Sequence, residues 1–310
     1  MATAIDVAKV IYEVPDLPLM EQALTDFGLS TVQKSSNALY MRGTGAQHHI
    51  HETRLGPTPR FVGAAIQVAS REDLDELAGL PGSSPVSANA DPGGGWVVHM
   101  PMPDGFKISA VWGREPATPL PTRAPNPFNA AHAKARNNAS IRVQREPCPV
   151  MRLGHFVLHV SNHDESVAWL QQRFGFLPSD YFAPPGRQAP IVGTFLRCNQ
   201  GSKLVDHHCM LVLQSETVGV HHSSYEVQDL DAIMSAHDYL QAKGWTLDCG
   251  VGRHLLGSQV FDYWKDPFGF RIEHYTDGDV VDADHQPTLF NGTAGETTQW
   301  GMEPPPDFFE

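Results

Sequence analysis

The strongest constraint on the fold of this chain is that its sequence repeats. Residues 7–29, VAKVIYEVPDLPLMEQALTDFGL, have the same pattern as residues 153–176, LGHFVLHVSNHDESVAWLQQRFGF. Each stretch reads as a strand, a short loop and a helix that ends at a glycine, the residue expected just past a helix end. Two further pairs follow in the same order: 60–80 with 220–240, and 102–113 with 265–276.

Four modules, each a strand, a helix and then several strands, account for these repeats. We therefore predict an α+β fold of tandem βαβββ modules, two in each half, with mixed sheets that curl around a cavity suited to a ligand. The predicted divisions are an N-terminal half, a connector rich in Pro, Ala and Asn, a C-terminal half, and a tail without a repeat partner: 1–115, 116–149, 150–284 and 285–310.

Composition narrows the class of protein. The net charge of −13 over 310 residues argues against nucleic acid or an anionic membrane as a partner. No apolar run approaches the roughly 20 residues of a membrane span, and Asp6 and Lys9 break the pattern of a signal peptide. The four cysteines lack CxxC spacing, which is typical of reduced thiols. We expect a cytoplasmic protein that binds neither nucleic acid nor a membrane.

The two halves differ where side chains could bind a metal ion. Aligning the modules places three candidate ligands of the C-terminal half opposite residues that are not ligands. The pairs are His155 with Lys9, His222 with Gly63, and Glu273 with Ser109. The fold does not require these ligands, because the other copy does without them. Two histidines and one carboxylate leave coordination positions open, as in non-haem Fe(II) sites, although zinc hydrolases also use this set.

Three motifs of the C-terminal half are similar to those of a known family. The motifs are LGHFVLHV, HHSSYEVQDLD and FDYWKDPFGFRIEHY. They resemble the type I extradiol ring-cleaving dioxygenases of the vicinal oxygen chelate superfamily, whose members cleave catechol or 2,3-dihydroxybiphenyl. The resemblance covers both halves and is strongest over residues 152–277. It implies the tandem-module fold and a metal ion held by His155, His222 and Glu273.

The second histidine ligand needs a choice between neighbours. His222 stands four residues before Glu226, as in the family motif, and it aligns with Gly63 of the first half, so it is preferred over His221. The metal that the resemblance implies is Fe(II), with Mn(II) as the alternative because its ligand preferences overlap.

The resemblance also implies three groups that handle protons and substrate oxygens. The DHHCMLVL segment supplies a histidine, and spacing favours His208 over His207. It would face dioxygen, stabilise negative charge and then donate a proton. His254 would lie near a substrate hydroxyl, and Tyr263 would hydrogen-bond the substrate oxygen. Because a turn at DPFG joins their strands, Tyr263 and Glu273 are expected to share a face of one hairpin.

Two other features of the sequence bear on the cavity. The first half carries His48, His49 and His51 on the strand equivalent to DHHCML, and with no triad beside them we expect surface or packing roles. After His254 the chain reads LLGS (255–258), where some relatives carry polar residues. The pocket wall is therefore expected to be apolar, and the substrate of a relative cannot be carried over.

The implied function is an Fe(II)-dependent extradiol dioxygenase of aromatic catabolism, which uses O2 to open a catechol-type diol to a semialdehyde or dienoate. One-ring, biaryl, polycyclic and trihydroxylated diols all fit. A glyoxalase-like isomerase or lyase is one alternative, against which the ligand-free first half argues. A non-catalytic aromatic-binding protein is another, but it would not need His208, His254 and Tyr263 as well as the triad.

Assembly and the tail are the last expectations. Relatives are commonly homo-oligomers, and we expect the same here without a number of subunits. The aromatic residues of the tail, Trp300, Phe308 and Phe309, are expected either to cover the cavity mouth or to pack on a neighbouring subunit.

Overall fold

Two large mixed sheets, one from each half of the chain, dominate the computed structural model. It describes residues 1–306 together with Phe308 and Phe309. None of the described helices has the length and apolar composition needed to cross a membrane.

The first half contributes eight strands and two helices. The strands are β1 (Ala4–Val14), β2 (Ser30–Lys34), β3 (Ala38–Arg42), β4 (His51–Leu55), β5 (Arg60–Val68), β6 (Ser87–Ala88), β7 (Trp96–Pro101) and β8 (Lys107–Trp112). The helices are α1 (Leu17–Phe27) and α2 (Arg71–Ala78). A small hairpin of β9 (Asn129–Ala130) and β10 (Ala133–Lys134) follows before the second half begins.

Within the described residues, the second half contributes twelve strands and two α-helices. The strands are β11 (Val150–Val160), β12 (Leu177–Phe182), β13 (Gly193–Arg197), β14 (Val205–Asp206), β15 (Met210–Gln214), β16 (Gly219–Val227), β17 (Thr246–His254), β18 (Val260–Lys265), β19 (Arg271–Thr276), β20 (Val280–Val281), β21 (Thr288–Phe290) and β22 (Thr298–Gly301). The helices are α3 (His163–Phe174) and α4 (Leu230–Lys243).

The strand orders of the two sheets match. The first sheet runs β2-β3-β4-β1-β5-β8-β7-β6, and the second runs β21-β12-β13-β15-β11-β16-β19-β18-β17-β22. Removing β21 and β22 from the edges leaves the same order of equivalent strands in both sheets. The predicted α+β fold of four βαβββ modules is therefore confirmed.

Helix boundaries follow from local chemistry. The side chain of Asp16 accepts a hydrogen bond from the amide of Leu19 at the start of α1, as Asn162 does at the start of α3. Both α1 and α3 end at a glycine with a left-handed backbone, with φ of 111° at Gly28 and 65° at Gly175. Both glycines lie where the sequence places the helix ends.

The registers of the central strands match in the two halves. Lys9 on β1 pairs with Ala65 on β5, and His155 on β11 pairs with Ser224 on β16. Two residues earlier on β5 and β16 stand Gly63 and His222, as the repeat predicts. On the far side of β16, Glu273 of β19 pairs with Ser224.

The halves pack against each other through one hydrophobic core. Buried residues of β1 and β11 belong to the same cluster. Polar contacts cross between the halves as well: the hydroxyl of Tyr12 lies 2.5 Å from that of Ser223, and His51 Nδ1 lies 2.7 Å from the hydroxyl of Tyr225. His51 therefore has a packing role, as expected.

Residues after 285 join the second sheet at both of its edges. The strand β21 pairs in parallel with β12, and β22 pairs antiparallel with β17. Beyond them, Phe308 is buried and packs on the rings of Tyr263 and His221. The division of the chain into two halves, a connector and a tail stays a prediction.

In the first sheet, an ammonium group occupies the place that a candidate ligand has in the second. Lys9 is buried, and its Nζ contacts the carboxylates of Glu52 and Asp91. Glu52 also accepts a bond of 2.6 Å from Arg54. The ammonium of Lys9 thus compensates carboxylate charge inside the fold.

We predict that Lys9→Met lowers the free energy of unfolding by about 3–5 kcal/mol, because it leaves Glu52 and Asp91 without their buried counter-ion. Urea denaturation measures the change. Lys107→Met is the matched control on an exposed lysine of the same sheet. Equal midpoints for the two variants would contradict the assignment of Lys9 as that counter-ion.

Candidate active site

Three neighbouring strands at the centre of the second sheet carry the predicted metal ligands. His155 lies on β11, His222 on β16 and Glu273 on β19. Because alternate residues of a strand point to the same face, His222 shares the face of Ser224, the residue that pairs with both His155 and Glu273. The strand register therefore brings the three side chains together.

The ligand atoms converge closely. The Nε2 atoms of His155 and His222 lie 3.2 Å apart, and Glu273 Oε2 lies 3.1 Å from the former and 3.4 Å from the latter. All three side chains are buried. His221 does not belong to this group of converging atoms.

The chemistry of this set fits a divalent metal ion. Neither carboxylate oxygen of Glu273 has a hydrogen-bond partner among the described residues, although the residue is fully buried. Burial would raise the pKa of Glu273, but the contacts of His155 and His222 hold it well below its usual range. Burial lowers the pKa of His222 to about 4. An ionised carboxylate beside a neutral imidazole is the state that metal binding requires.

A contact behind one of the candidate ligands, His222, fixes its ring. His221 Nδ1 lies 2.6 Å from His222 Nδ1, on the side of the ring away from Glu273. The Nε2 of His221 in turn lies 2.5 Å from the carbonyl oxygen of Phe308. Such outer contacts set the orientation of a ligating imidazole. His221 thus holds the ring of His222, the preferred ligand, in its orientation.

The three predicted catalytic residues surround the same point. The ring centroid of His208 lies 4.2 Å from that of His155. His254 Nε2 lies 2.9 Å from the hydroxyl of Tyr263 and 3.6 Å from Glu273 Oε1. Tyr263 pairs directly with Glu273 across the β18–β19 hairpin, so the two share a face as expected.

Burial sets the protonation of two of these groups. It lowers the pKa of His208 well below its usual range, with His155 and His207 as further causes. Burial also raises the pKa of Tyr263 well above its usual range, and the charge of Glu273 adds to the effect. His208 is therefore neutral and Tyr263 keeps its hydroxyl proton near pH 7.

All six predicted residues except Glu273 line one cavity of about 40 Å³. The remaining wall is largely apolar and includes Leu256, as the LLGS segment predicts. Its other members are Val157, Phe182, Phe195, Leu211, Gln259, Thr297, Phe308 and Phe309. His207 does not belong to this lining, which favours His208 as the residue that faces a ligand.

The sequence patterns do not mark most residues of this wall, nor the polar partner of His207. Phe182 and Phe195 lie on β12 and β13, where no repeat or motif marks them. Asp180, also on β12, is buried and binds His207 at 2.8 Å. Only the pairing of β12 next to β13, a long-range feature, brings these residues to the site.

The equivalent place in the first half holds a different cluster. His49 is fully buried beside Arg114, whose Nη2 lies 2.9 Å from His49 Nδ1. Atoms of His49, Glu52 and Asp91 also converge, but Lys9 already contacts both carboxylates. His49 therefore has a packing role, while the surface alternative for it was wrong.

Comparison with known proteins agrees with this geometry. Residues 152–274 match the model of the Glyoxalase/Bleomycin resistance protein/Dioxygenase superfamily. This part of the chain is similar to the domains of that superfamily. The match ends one residue after Glu273, so it contains all three candidate ligands.

Two curated relatives are a metapyrocatechase and a diol dioxygenase by name. Metapyrocatechase 2 of Cupriavidus necator is 26% identical over 303 residues, which cover 96% of this chain and 88% of the relative. Biphenyl-2,3-diol 1,2-dioxygenase of Paraburkholderia xenovorans is 30% identical over 132 residues, which cover 42% of each chain. The resemblance to extradiol dioxygenases is thereby confirmed.

A solved structure extends the likeness over the whole chain. The Mn(II)-bound glyoxalase from Novosphingobium aromaticivorans is 25% identical, with a TM-score of 0.80, and covers 100% of this chain and 95% of its own. The likeness to dioxygenases and the converging ligand atoms together imply a metal cofactor. The individual ligand and catalytic assignments stay predictions.

We predict that Glu273→Gln weakens divalent-metal binding more than about 100-fold, since changes outside the ligand shell alone cost about 10–100-fold. Metal content after dialysis, measured by mass spectrometry, reports this. Glu216→Gln, on an exposed loop, is the control. Unchanged metal content in Glu273→Gln would refute the ligand role.

Proposed function

We propose that this protein is an extradiol dioxygenase that opens a catechol-type diol with O2 to a semialdehyde or dienoate. The observation that carries the proposal is the convergence of two imidazoles and a buried carboxylate beside an apolar cavity lined by His208, His254 and Tyr263. The named activities of the two curated relatives support it. Fe(II) is the proposed metal, with Mn(II) as the alternative.

His155, His222 and Glu273 would hold the ion. A divalent ion there would bind both oxygens of the diol and dioxygen at its remaining positions. The three protein ligands carry one negative charge in total. A doubly charged ion therefore retains net positive charge, which favours an ionised diol in the cavity.

Tyr263 and His254 are proposed to hold the substrate oxygen. Because the raised pKa of Tyr263 keeps its hydroxyl protonated, this group can donate a hydrogen bond to an ionised diol oxygen. His254 Nε2, at 2.9 Å, can donate to the oxygen of the same hydroxyl and fix its direction. The pair would bind an ionised diol more tightly than a neutral one.

His208 is proposed to move protons. Its neutral imidazole lies beside His155 on the cavity wall, within reach of a ligand next to the metal position. A neutral imidazole can take a proton from a diol hydroxyl and later return it to a product oxygen. Phe195 packs edge-on against its ring with centroids 4.9 Å apart, which limits rotation.

The apolar wall is proposed to exclude water and to accept the hydrocarbon part of the diol. The free space of about 40 Å³ is well below the roughly 150 Å³ of a cavity that binds benzene, so side chains must move before an aromatic ring can enter. Phe308 and Phe309 are the lining residues that follow the last strand, β22. Substrate entry would require them to move aside.

A glyoxalase activity is the second candidate, because the Mn(II)-bound glyoxalase covers the whole chain with a TM-score of 0.80. The first half offers no matching ligands for a site split between the halves. At Gly63, the counterpart of His222, φ is 156° and an added Cβ would lie 1.9 Å from the carbonyl oxygen of Lys107. A histidine cannot replace that glycine without moving β8.

Oxygen uptake distinguishes these candidates. Protein loaded anaerobically with Fe(II), and separately with Mn(II), would be offered catechol, 3-methylcatechol and 2,3-dihydroxybiphenyl, while absorbance follows the yellow ring-opened product. We expect equal amounts of oxygen consumed and product formed. Turnover of a methylglyoxal–glutathione hemithioacetal without oxygen uptake would favour the glyoxalase. A colour change on diol binding with no oxygen uptake would instead indicate a binding protein.

We predict that Tyr263→Phe lowers kcat/KM for the best diol about 10–150-fold, the equivalent of losing one hydrogen bond to a charged group at about 1.5–3 kcal/mol. Steady-state oxygen consumption measures this. Tyr181→Phe, on β12 and outside the cavity lining, serves as the control. Equal kinetics for Tyr263→Phe and the native protein would remove Tyr263 from the substrate site.

A further inference from the structure

A chain of three buried polar side chains runs from β12 to the cavity. Asp180 Oδ2 lies 2.8 Å from His207 Nε2, and His207 Nδ1 lies 3.1 Å from His208 Nδ1. Each of the three is no more than 5% exposed. His208 lines the cavity, whereas Asp180 and His207 stand behind it.

The first member of the chain can only accept hydrogen bonds. Asp180 Oδ1 accepts from the backbone amide of Thr288 at 2.7 Å and from its hydroxyl at 2.6 Å. Burial would raise the pKa of Asp180, but the hydrogen bonds from His207 and Thr288 lower it below its ordinary value. An ionised carboxylate has no proton to donate, so His207 Nε2 must be the donor to Oδ2.

The positions of the remaining protons, on His207 and His208, follow from the chemistry of imidazole. A neutral imidazole has one donor and one acceptor nitrogen. With its proton on Nε2, His207 can only accept at Nδ1. The 3.1 Å contact then requires His208 to carry its proton on Nδ1. The Nε2 of His208 is left as the nitrogen with a free lone pair.

We propose that Asp180 and His207 are positioning residues that hold His208 in the tautomer with the proton on Nδ1 and the lone pair on Nε2. The inference rests on the proposed dioxygenase function for its consequence in the reaction. His208 would first accept a proton: the O–H bond of the diol breaks, its electron pair stays on oxygen, and an N–H bond forms at Nε2. Donation to a product oxygen would come later.

A second metal site at this place is the competing explanation, because atoms of Asp180, His207 and His285 lie close together. Their atoms already have partners, however. Both Asp180 oxygens accept hydrogen bonds, and His285 Nε2 donates to the carbonyl oxygen of Ser179 at 3.0 Å. The cluster therefore reads as a satisfied hydrogen-bond chain.

Asp180→Asn should reverse the direction of the hydrogen bonds that link residue 180 to His207 and His208. The asparagine oxygen remains the acceptor for the Thr288 amide, so its NH2 group faces His207 Nε2 and donates to it. His207 must then carry its proton on Nδ1 and donate to His208, whose own proton moves to Nε2. The variant keeps the size and shape of the side chain, but the Nε2 of His208 then carries a proton and has no lone pair for a proton from the substrate.

The kinetic test compares three variants. Asp180→Asn should lower kcat about 100-fold, as expected for loss of one acid–base group, with KM changed less than about threefold. His207→Phe removes the restraint without imposing the wrong tautomer, so it should lose less activity. Adding His207→Phe to Asp180→Asn should raise kcat above that of the single Asp180→Asn variant. Asp284→Asn, on an exposed loop, is the control.

If Asp180 and His207 had a purely structural role, His207→Phe would lose more activity than Asp180→Asn, because it is the larger change. The double variant would then lose the most activity, because it combines both losses. That order would overturn the proposal. Thermal unfolding and metal content of each variant establish that folded, loaded protein is compared.

The tautomer itself can be observed by ¹⁵N NMR of histidine-labelled, Zn(II)-loaded protein, with the His208 signals assigned from His208→Asn. In the native protein we expect a protonated Nδ1 and an unprotonated Nε2, and in Asp180→Asn the reverse. A protonated Nε2 in the native protein would contradict the inference. If Asp180→Asn does not fold, the native spectrum decides alone. Because the spectrum needs no turnover, a native protein inert toward every diol would refute the proposed function and leave the tautomer assignment standing.

Discussion

A buried carboxylate at the centre of the second sheet is the constraint on which the site depends. Glu273 is withdrawn from water between His155 and His222, and none of the described residues gives it a hydrogen bond. A buried carboxylate costs several kcal/mol unless nearby groups compensate its charge, and a divalent cation between Glu273 and the two imidazoles would do so. The imidazole nitrogens point to where that cation would lie.

In the first half, the ammonium group of a lysine compensates the charge of buried carboxylates. Lys9 stands at the repeat position of His155, and its ammonium contacts Glu52 and Asp91 inside the fold. A covalently attached ammonium offers no open coordination positions, so this half cannot bind a diol and dioxygen as a metal can. One architecture thus carries a structural ion pair in one copy and a candidate metal site in the other.

Much of the fold, and the convergence of the three candidate ligands, could be predicted because the two halves of the sequence can be compared with each other. Register carries the information: once β1 matches β11, the positions of His155, His222 and Glu273 follow from strand pairing. The cavity wall could not be found in this way. Asp180 reaches the site because its strand, β12, pairs with β13. No motif marks Asp180, and the short-range sequence pattern does not encode this pairing.

Anomalous diffraction from crystals of Fe(II)-loaded protein, recorded on both sides of the iron absorption edge, shows directly where the metal ion lies. The proposed metal site predicts one strong anomalous peak within coordination distance of His155 Nε2, His222 Nε2 and a carboxylate oxygen of Glu273. An iron peak elsewhere, or a fully loaded protein with no peak among these three side chains, would contradict it.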